Sequence, residues 1–168
     1  IKRSLGCSAG REPEDATIQE ALRLFKKEYG NHMLDQTRLL PGVNEGLDLL
    51  SWAMFAVVSN KPEAFSRRIL DGLGIGDRFD IILGGDSIQK RKPDPESLFK
   101  AIDFCKGSPS RTAIVGDSPV DIRAGKFAGI TTCGVAGGFR PKEELEAAGC
   151  DILIRSLLEL TDHFRPPE

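Results

Sequence analysis

The sequence is short of the residues that mark several specialised protein classes. It has two histidines and four cysteines in 168 residues, and no cysteine forms a Cys-x-x-Cys pair or stands near a histidine at zinc-site spacing. A structural zinc site is therefore not expected. Cys7, Cys105, Cys133 and Cys150 read as reduced, mostly buried thiols of a cytoplasmic protein. Charge of one sign is not in excess either: 23 Lys+Arg stand against 25 Asp+Glu, a formal net charge of -2. That balance argues against a general nucleic-acid binder, which is usually basic. No long apolar run is present. The longest lies at 49–58, is interrupted by Ser51, and reaches about half of what a membrane-spanning helix needs. Neither nucleic acid nor membrane is expected as a partner. Internal repeats and low-complexity segments are absent too. What remains, 40% hydrophobic and 29% charged, is ordinary for a globular protein of one domain, or of one domain with a small appendage.

Residues 13–29 have the pattern of an amphipathic helix. Pro13 suits a first helical position, Glu12, Glu14 and Asp15 suit its start, and Ile18, Ala21, Leu22, Phe25 and Tyr29 recur at helical spacing before Gly30-Asn31. Residues 31–41 read as a linker punctuated by Pro41-Gly42. Beyond it, helical patterns alternate with short apolar runs at 54–58, 80–83, 112–115, 130–135 and 151–154. These runs are continuous and mostly rich in Val and Ile, as strands are when helices cover both faces of a parallel sheet. The expectation is a helical segment over 1–40 and an α/β domain over 41–168, a Rossmann-like parallel sheet with flanking helices and right-handed crossovers.

In open α/β sheets ligands bind beyond the carboxyl ends of the strands, so the residues after each strand matter most. After 54–58 come Ser59, Asn60 and Lys61. A hydroxyl and an amide before a helix start suit an anion, although either could instead cap the helix. After 80–83 come Gly84-Gly85-Asp86 and then Lys90-Arg91-Lys92-Pro93-Asp94-Pro95. Two prolines restrict the chain around Lys92, and a fixed ammonium suits a phosphoryl oxygen, whereas a basic triplet is more commonly a solvated loop. After 112–115 come Gly116-Asp117-Ser118-Pro119-Val120-Asp121. Asp117 at the strand end and Asp121 four residues on, in a helix start, can turn to one place, and paired carboxylate oxygens suit Mg²⁺. A phosphate cradle, a cation and a metal site thus follow three strands of one sheet, the ingredients of phosphoryl transfer.

With these motifs the chain resembles the haloacid dehalogenase superfamily, and within it phosphoglycolate phosphatases with a helical cap. The resemblance rests on Leu40-Pro41-Gly42-Val43, Ser59-Asn60-Lys61, Gly84-Gly85-Asp86, Lys92-Pro93-Asp94-Pro95, Gly116 through Asp121, Ala128-Gly129 and Ala148-Gly149-Cys150-Asp151. It implies that Ser59 hydrogen-bonds the transferring phosphoryl group with Asn60 beside it, and that Lys92 steadies the charge on nucleophile and phosphate. It further implies that Asp117 is a Mg²⁺ ligand with Asp121 as supporting carboxylate, and that residues 1–40 are the later part of a cap closing over a small phosphorylated metabolite. Dehalogenases of the superfamily lack such a metal site, which disfavours that activity; a phosphosugar mutase shares all of these motifs. Arg140, after Gly137-Gly138-Phe139, is a candidate for a substrate carboxylate or a plain surface residue, and His32 and His163 stand outside every motif.

One family motif is absent: no Asp-x-Asp occurs anywhere in the sequence. In the superfamily it follows the first, central strand; its first Asp attacks phosphorus and its second is the general acid-base. The expectation is that an upstream stretch carries it, together with a strand lying between those that end at Ser59 and Gly116. Without that stretch the chain is expected to be inactive, a pseudophosphatase or a fragment that binds a phosphorylated ligand or partner.

Overall fold

The structure is a computed structural model that describes residues 14–138 and 140–166; Cys7, Pro13 and Phe139 lie outside the described residues. It comprises two compact units, one ending at Arg38 and the other beginning at Leu39.

The first unit is built on helix α1, Asp15–His32, on which the Phe25 and Tyr29 rings stack with centroids 5.7 Å apart. The helix continues past Gly30, where the sequence suggests a stop. Gly30 is buried within it, and packing there outweighs the poor helix propensity of glycine. The chain then turns, with Thr37 Oγ1 donating to the Met33 carbonyl at 2.6 Å.

The second unit alternates as expected: α2 (Val43–Leu49), β1 (Ala56–Val58), α3 (Glu63–Gly72), β2 (Ile81–Leu83), α4 (Glu96–Phe104), β3 (Ala113–Gly116), α5 (Pro119–Ala128), β4 (Thr131–Val135), α6 (Lys142–Ala147), β5 (Ile152–Ile154) and α7 (Leu160–His163). All pairings are parallel. β1 pairs with β2 in the register Val57↔Ile82, β3 with β4 as Val115↔Cys133, and β4 with β5 as Gly134↔Leu153.

The hydrogen bonds divide the strands into a pair, β1-β2, and a triplet, β3-β4-β5. Among the described residues no ladder joins β1 to β3. The two nevertheless share a core: Val58 of β1 packs on the cluster of Leu98, Ile114, Ala124, Ala128 and Ile130, contributed by α4, β3, α5 and the residue before β4. A second cluster, Leu50, Cys133, Ile154 and Leu160, receives Phe55 from just before β1. Val115, in the middle of β3, is 39% exposed, and Ala56 of β1 is exposed, so each strand has a side chain open to solvent.

β4 is the most deeply covered strand. Thr132 and Cys133 are fully buried, and burial pushes the Cys133 thiol up to about 12, which leaves it an unreactive apolar filler. At the entry to β5, Asp151 accepts from Thr132 N at 2.8 Å and Thr132 Oγ1 at 2.7 Å and is paired with Lys126 of α5. These bonds tie β4, β5 and α5 together away from the strand ends that carry the candidate site.

Candidate active site

Ser59 is the first residue after β1; its N–H donates to the Leu83 carbonyl at 2.9 Å, extending the ladder with β2. Its hydroxyl oxygen accepts from Lys61 N at 3.1 Å, which closes a tight turn and leaves the hydroxyl proton for another partner. Neither Ser59 nor Asn60 caps α3. The N–H of Glu63, in the first turn of that helix, donates instead to Asp86 Oδ1 at 2.7 Å, from the loop after β2.

The Asn60 side chain reaches the loop that carries Lys92. Its Nδ2 donates to the Lys92 carbonyl at 2.9 Å and its Oδ1 accepts from Lys92 N at 3.0 Å, so the carboxamide holds Lys92 through one donor and one acceptor. For an anion the end of β1 offers the Ser59 hydroxyl, the second Nδ2 proton of Asn60 and backbone N–H groups.

Lys92 sits on the loop between β2 and α4, which is densely tied. Gly84 N donates to Ser87 Oγ at 2.9 Å, and Ser87 Oγ donates to Glu63 Oε2 at 2.6 Å; this bond, with help from Arg67, lowers the Glu63 pKa. Glu96 accepts from Gln89 N and Lys90 N, both at 2.9 Å, and Arg91 Nε donates to the Gly85 carbonyl at 2.8 Å. Gly84-Gly85 is required because the two loops touch: a Cβ on Gly84 would lie 2.1 Å from Glu63 N, and one on Gly85 2.5 Å from the Asn60 carbonyl oxygen. The Lys92–Pro93 peptide is cis. From this frame the Lys92 ammonium reaches inward, 10% exposed, and donates to the Val58 carbonyl at 2.6 Å and to Asp121 Oδ1 at 2.5 Å.

Asp117 and Asp121 flank the start of α5, where Ser118 is the N-cap and Pro119 the first helical residue. The Asp121 carboxylate folds back over the strand end: a Cβ on Gly116 would stand 2.6 Å from Asp121 Oδ2. Asp117 is met from the other side, where a Cβ on Gly138 would stand 2.7 Å from its Oδ2. The loop after β4 therefore walls the site, a role that the sequence alone does not reveal. Arg140, on that loop, is exposed and pairs with Glu144 at 3.7 Å. His32 pairs with Asp35 in the first unit, which raises its pKa.

The structure thus brings Lys92 and Asp121 into direct contact, and places Ser59 between two residues, Val58 and Asn60, that both hold Lys92. The two carboxylates fit a magnesium ion, a hard cation that takes one or two carboxylates and fills the rest of its shell with water and phosphate oxygens. Asp121 has one oxygen on Lys92, and Asp117 stands beside it at the start of α5. Among the described residues no group of three or more His, Cys, Asp and Glu gathers as a metal cage.

The profile of haloacid dehalogenase-like hydrolases matches residues 6–135. The chain belongs to that family. It is 36% identical over 163 residues to a phosphoglycolate phosphatase of Nitrosospira multiformis, covering 96% of this chain and 72% of the relative. It is also 36% identical over 165 residues to the phosphoglycolate phosphatase of Thiobacillus denitrificans, covering 95% and 71%. Among solved structures, a protein described as a predicted phosphoglycolate phosphatase from Haemophilus somnus superposes with a TM-score of 0.88 at 27% identity, over 98% of this chain and 74% of that one. A haloacid dehalogenase-like hydrolase from Bacteroides fragilis superposes with a TM-score of 0.81 at 31% identity, over 95% and 77%. No helix among the described residues is long and apolar enough to cross a membrane.

Proposed function

We propose that this chain is the core and part of the cap of a Mg²⁺-dependent phosphomonoesterase that acts on a small phosphorylated acid such as 2-phosphoglycolate. The observation that carries the reading is the contact of Lys92 with Asp121 at 2.5 Å beside Ser59, an ammonium and a carboxylate fixed at the carboxyl ends of parallel strands. The names of the relatives supply the substrate class.

In this reading the Ser59 hydroxyl donates to a phosphoryl oxygen, and Lys92 neutralises charge that grows on the phosphoryl group and its attacking oxygen. Asp117, with Asp121 behind it, would hold the Mg²⁺, which supplies further neutralisation of the phosphoryl oxygens. The attacking carboxylate is proposed to come from an Asp-x-Asp upstream of Ile1, on a strand lying between β1 and β3. That no ladder joins β1 to β3 among the described residues supports that placement, since unpaired strand edges are normally covered. The first Asp would attack phosphorus to form a phospho-aspartate as the P–O bond to the substrate's alcohol breaks and the second Asp protonates the departing oxygen; the second would then take a proton from water, which hydrolyses the phospho-aspartate to inorganic phosphate.

The test is phosphate release from 2-phosphoglycolate by the product of the complete reading frame, with Mg²⁺ and with chelator. Metal-dependent release, faster than from a phosphosugar, supports the proposal. A second reading is favoured by the missing Asp-x-Asp: a pseudophosphatase that binds a phosphorylated ligand. Binding of inorganic phosphate without any turnover in the same assay would select it. Transfer of phosphate between sugar positions would select a mutase.

A further inference from the structure

Asn60 stands at the edge of the site, yet both ends of its side chain are taken up by one residue 32 positions away. Nδ2 donates to the Lys92 carbonyl and Oδ1 accepts from the Lys92 N–H, at 2.9 and 3.0 Å. The tip of the same lysine donates to the carbonyl of Val58 at 2.6 Å. Lys92 is therefore pinned at its root by Asn60 and at its ammonium by Val58, two residues that bracket Ser59.

We infer that Asn60 is a positioning residue: its carboxamide fixes the peptide unit of Lys92 on the tip of β1, and so sets where the ammonium lies relative to the Ser59 hydroxyl. An unrestrained lysine is a flexible four-carbon stem with many rotamers; fixing its backbone removes the first source of that freedom. The importance of this geometry for catalysis rests on the phosphatase reading. The geometry itself does not.

A general loop-holding role is the alternative, and the structure separates the two. The loop is already held without Asn60, through Asp86 on Glu63 N, Ser87 on Glu63, Glu96 on Gln89 N and Lys90 N, and Gly85 N on the Lys61 carbonyl at 2.8 Å. Removing the Asn60 carboxamide should free Lys92 and leave the rest of the loop in place.

The test is lysine-by-lysine acylation with an amine-reactive ester, read by peptide mass spectrometry, on the wild-type chain, Asn60→Ala and Asn60→Asp. Amide hydrogen exchange over residues 84–90 is followed alongside. In Asn60→Ala, Lys92 is expected to acylate on the order of tenfold faster, the factor that matches about 1.4 kcal/mol and the loss of one or two hydrogen bonds. Lys61, Lys90 and Lys126 should stay within about twofold of wild type, and the loop amides should keep their protection. Asn60→Asp keeps the acceptor for the Lys92 N–H and loses the donor, so it should fall between the two. It carries the comparison if the alanine variant does not fold. Unchanged Lys92 reactivity in the variants would overturn the inference, as would a rise shared by every lysine and by the loop amides. The assay uses no substrate, metal or turnover, so its result is independent of whether the complete protein hydrolyses a phosphomonoester.

Discussion

The Lys92 ammonium lies 2.5 Å from Asp121 Oδ1 and 2.6 Å from the Val58 carbonyl oxygen, so one side chain joins the end of β1 to the helix that follows β3. Both charged side chains are largely removed from water, 10% and 13% exposed. Removing one partner should therefore cost about 3 kcal/mol, mainly by leaving the other charge uncompensated. Lys92→Ala and Asp121→Ala should each lower the urea midpoint, and the double variant should lose less than their sum. Strict additivity in that cycle would mean that the pair is not coupled in solution.

Asp117→Asn keeps the shape of the side chain and removes its charge. In the complete protein it should abolish both the calorimetric signal of Mg²⁺ binding and Mg²⁺-dependent phosphate release, while the melting temperature stays within about 3 °C. Turnover at the wild-type rate would sink the metal assignment.

Gly138 and Gly137 make a paired experiment. A Cβ on Gly138 would press on Asp117 Cβ and Oδ2, both at 2.7 Å, whereas a Cβ on Gly137 would meet nothing within 4 Å but sits at φ +92. Gly138→Ala should thus weaken Mg²⁺ binding about tenfold, through displacement of a ligand. Gly137→Ala should instead cost about 1 kcal/mol of stability with metal affinity retained. Titration calorimetry with Mg²⁺ and urea unfolding on both variants separate the two effects.

Asp151 should contribute an acid-sensitive part of the stability. Its hydrogen bond with Lys126, and then those from Thr132, depress its pKa from 3.8 to about 2. A depressed carboxylate stabilises the fold above its unfolded value and loses that contribution as pH falls towards the folded one, here between about 4 and 2. The Lys126–Asp151 pair is roughly two-fifths exposed, so solvent screening makes the effect modest. Urea midpoints measured from pH 5 down to 2 should fall more steeply for wild type than for Asp151→Asn; parallel curves would contradict the assignment.

Much of the fold is legible in the sequence because parallel strands covered on both faces read as uninterrupted apolar runs, as at Ile81–Leu83. The local pattern ends α1 too early because burial of Gly30 is a tertiary effect invisible to it. At the site, Lys92, Asp117 and Asp121 can be singled out because a lysine between loop and prolines, or two aspartates four apart at a helix start, are local signatures. Asn60 cannot be read in the same way. Its partner lies 32 residues away, and the helix that its position would let it cap takes its bond from Asp86 instead. Gly138 carries no local signal of its own; only its approach to Asp117 reveals why a side chain is unwelcome there.

The division of the strands into β1-β2 and β3-β4-β5 bears on cooperativity. Where a continuous ladder would make five strands open together, these two groups are coupled through the apolar clusters that Val58 and Phe55 enter and through Lys92, side-chain joints that a fluctuation can break singly. They are set to behave as two foldons, with β1-β2 as the smaller and more readily opened. A strand inserted between β1 and β3 would fuse them into one cooperative unit. A phosphate bound across Ser59, Lys92 and Asp117 would do so more weakly, and occupancy of the site would then be felt as stiffness through the whole second unit.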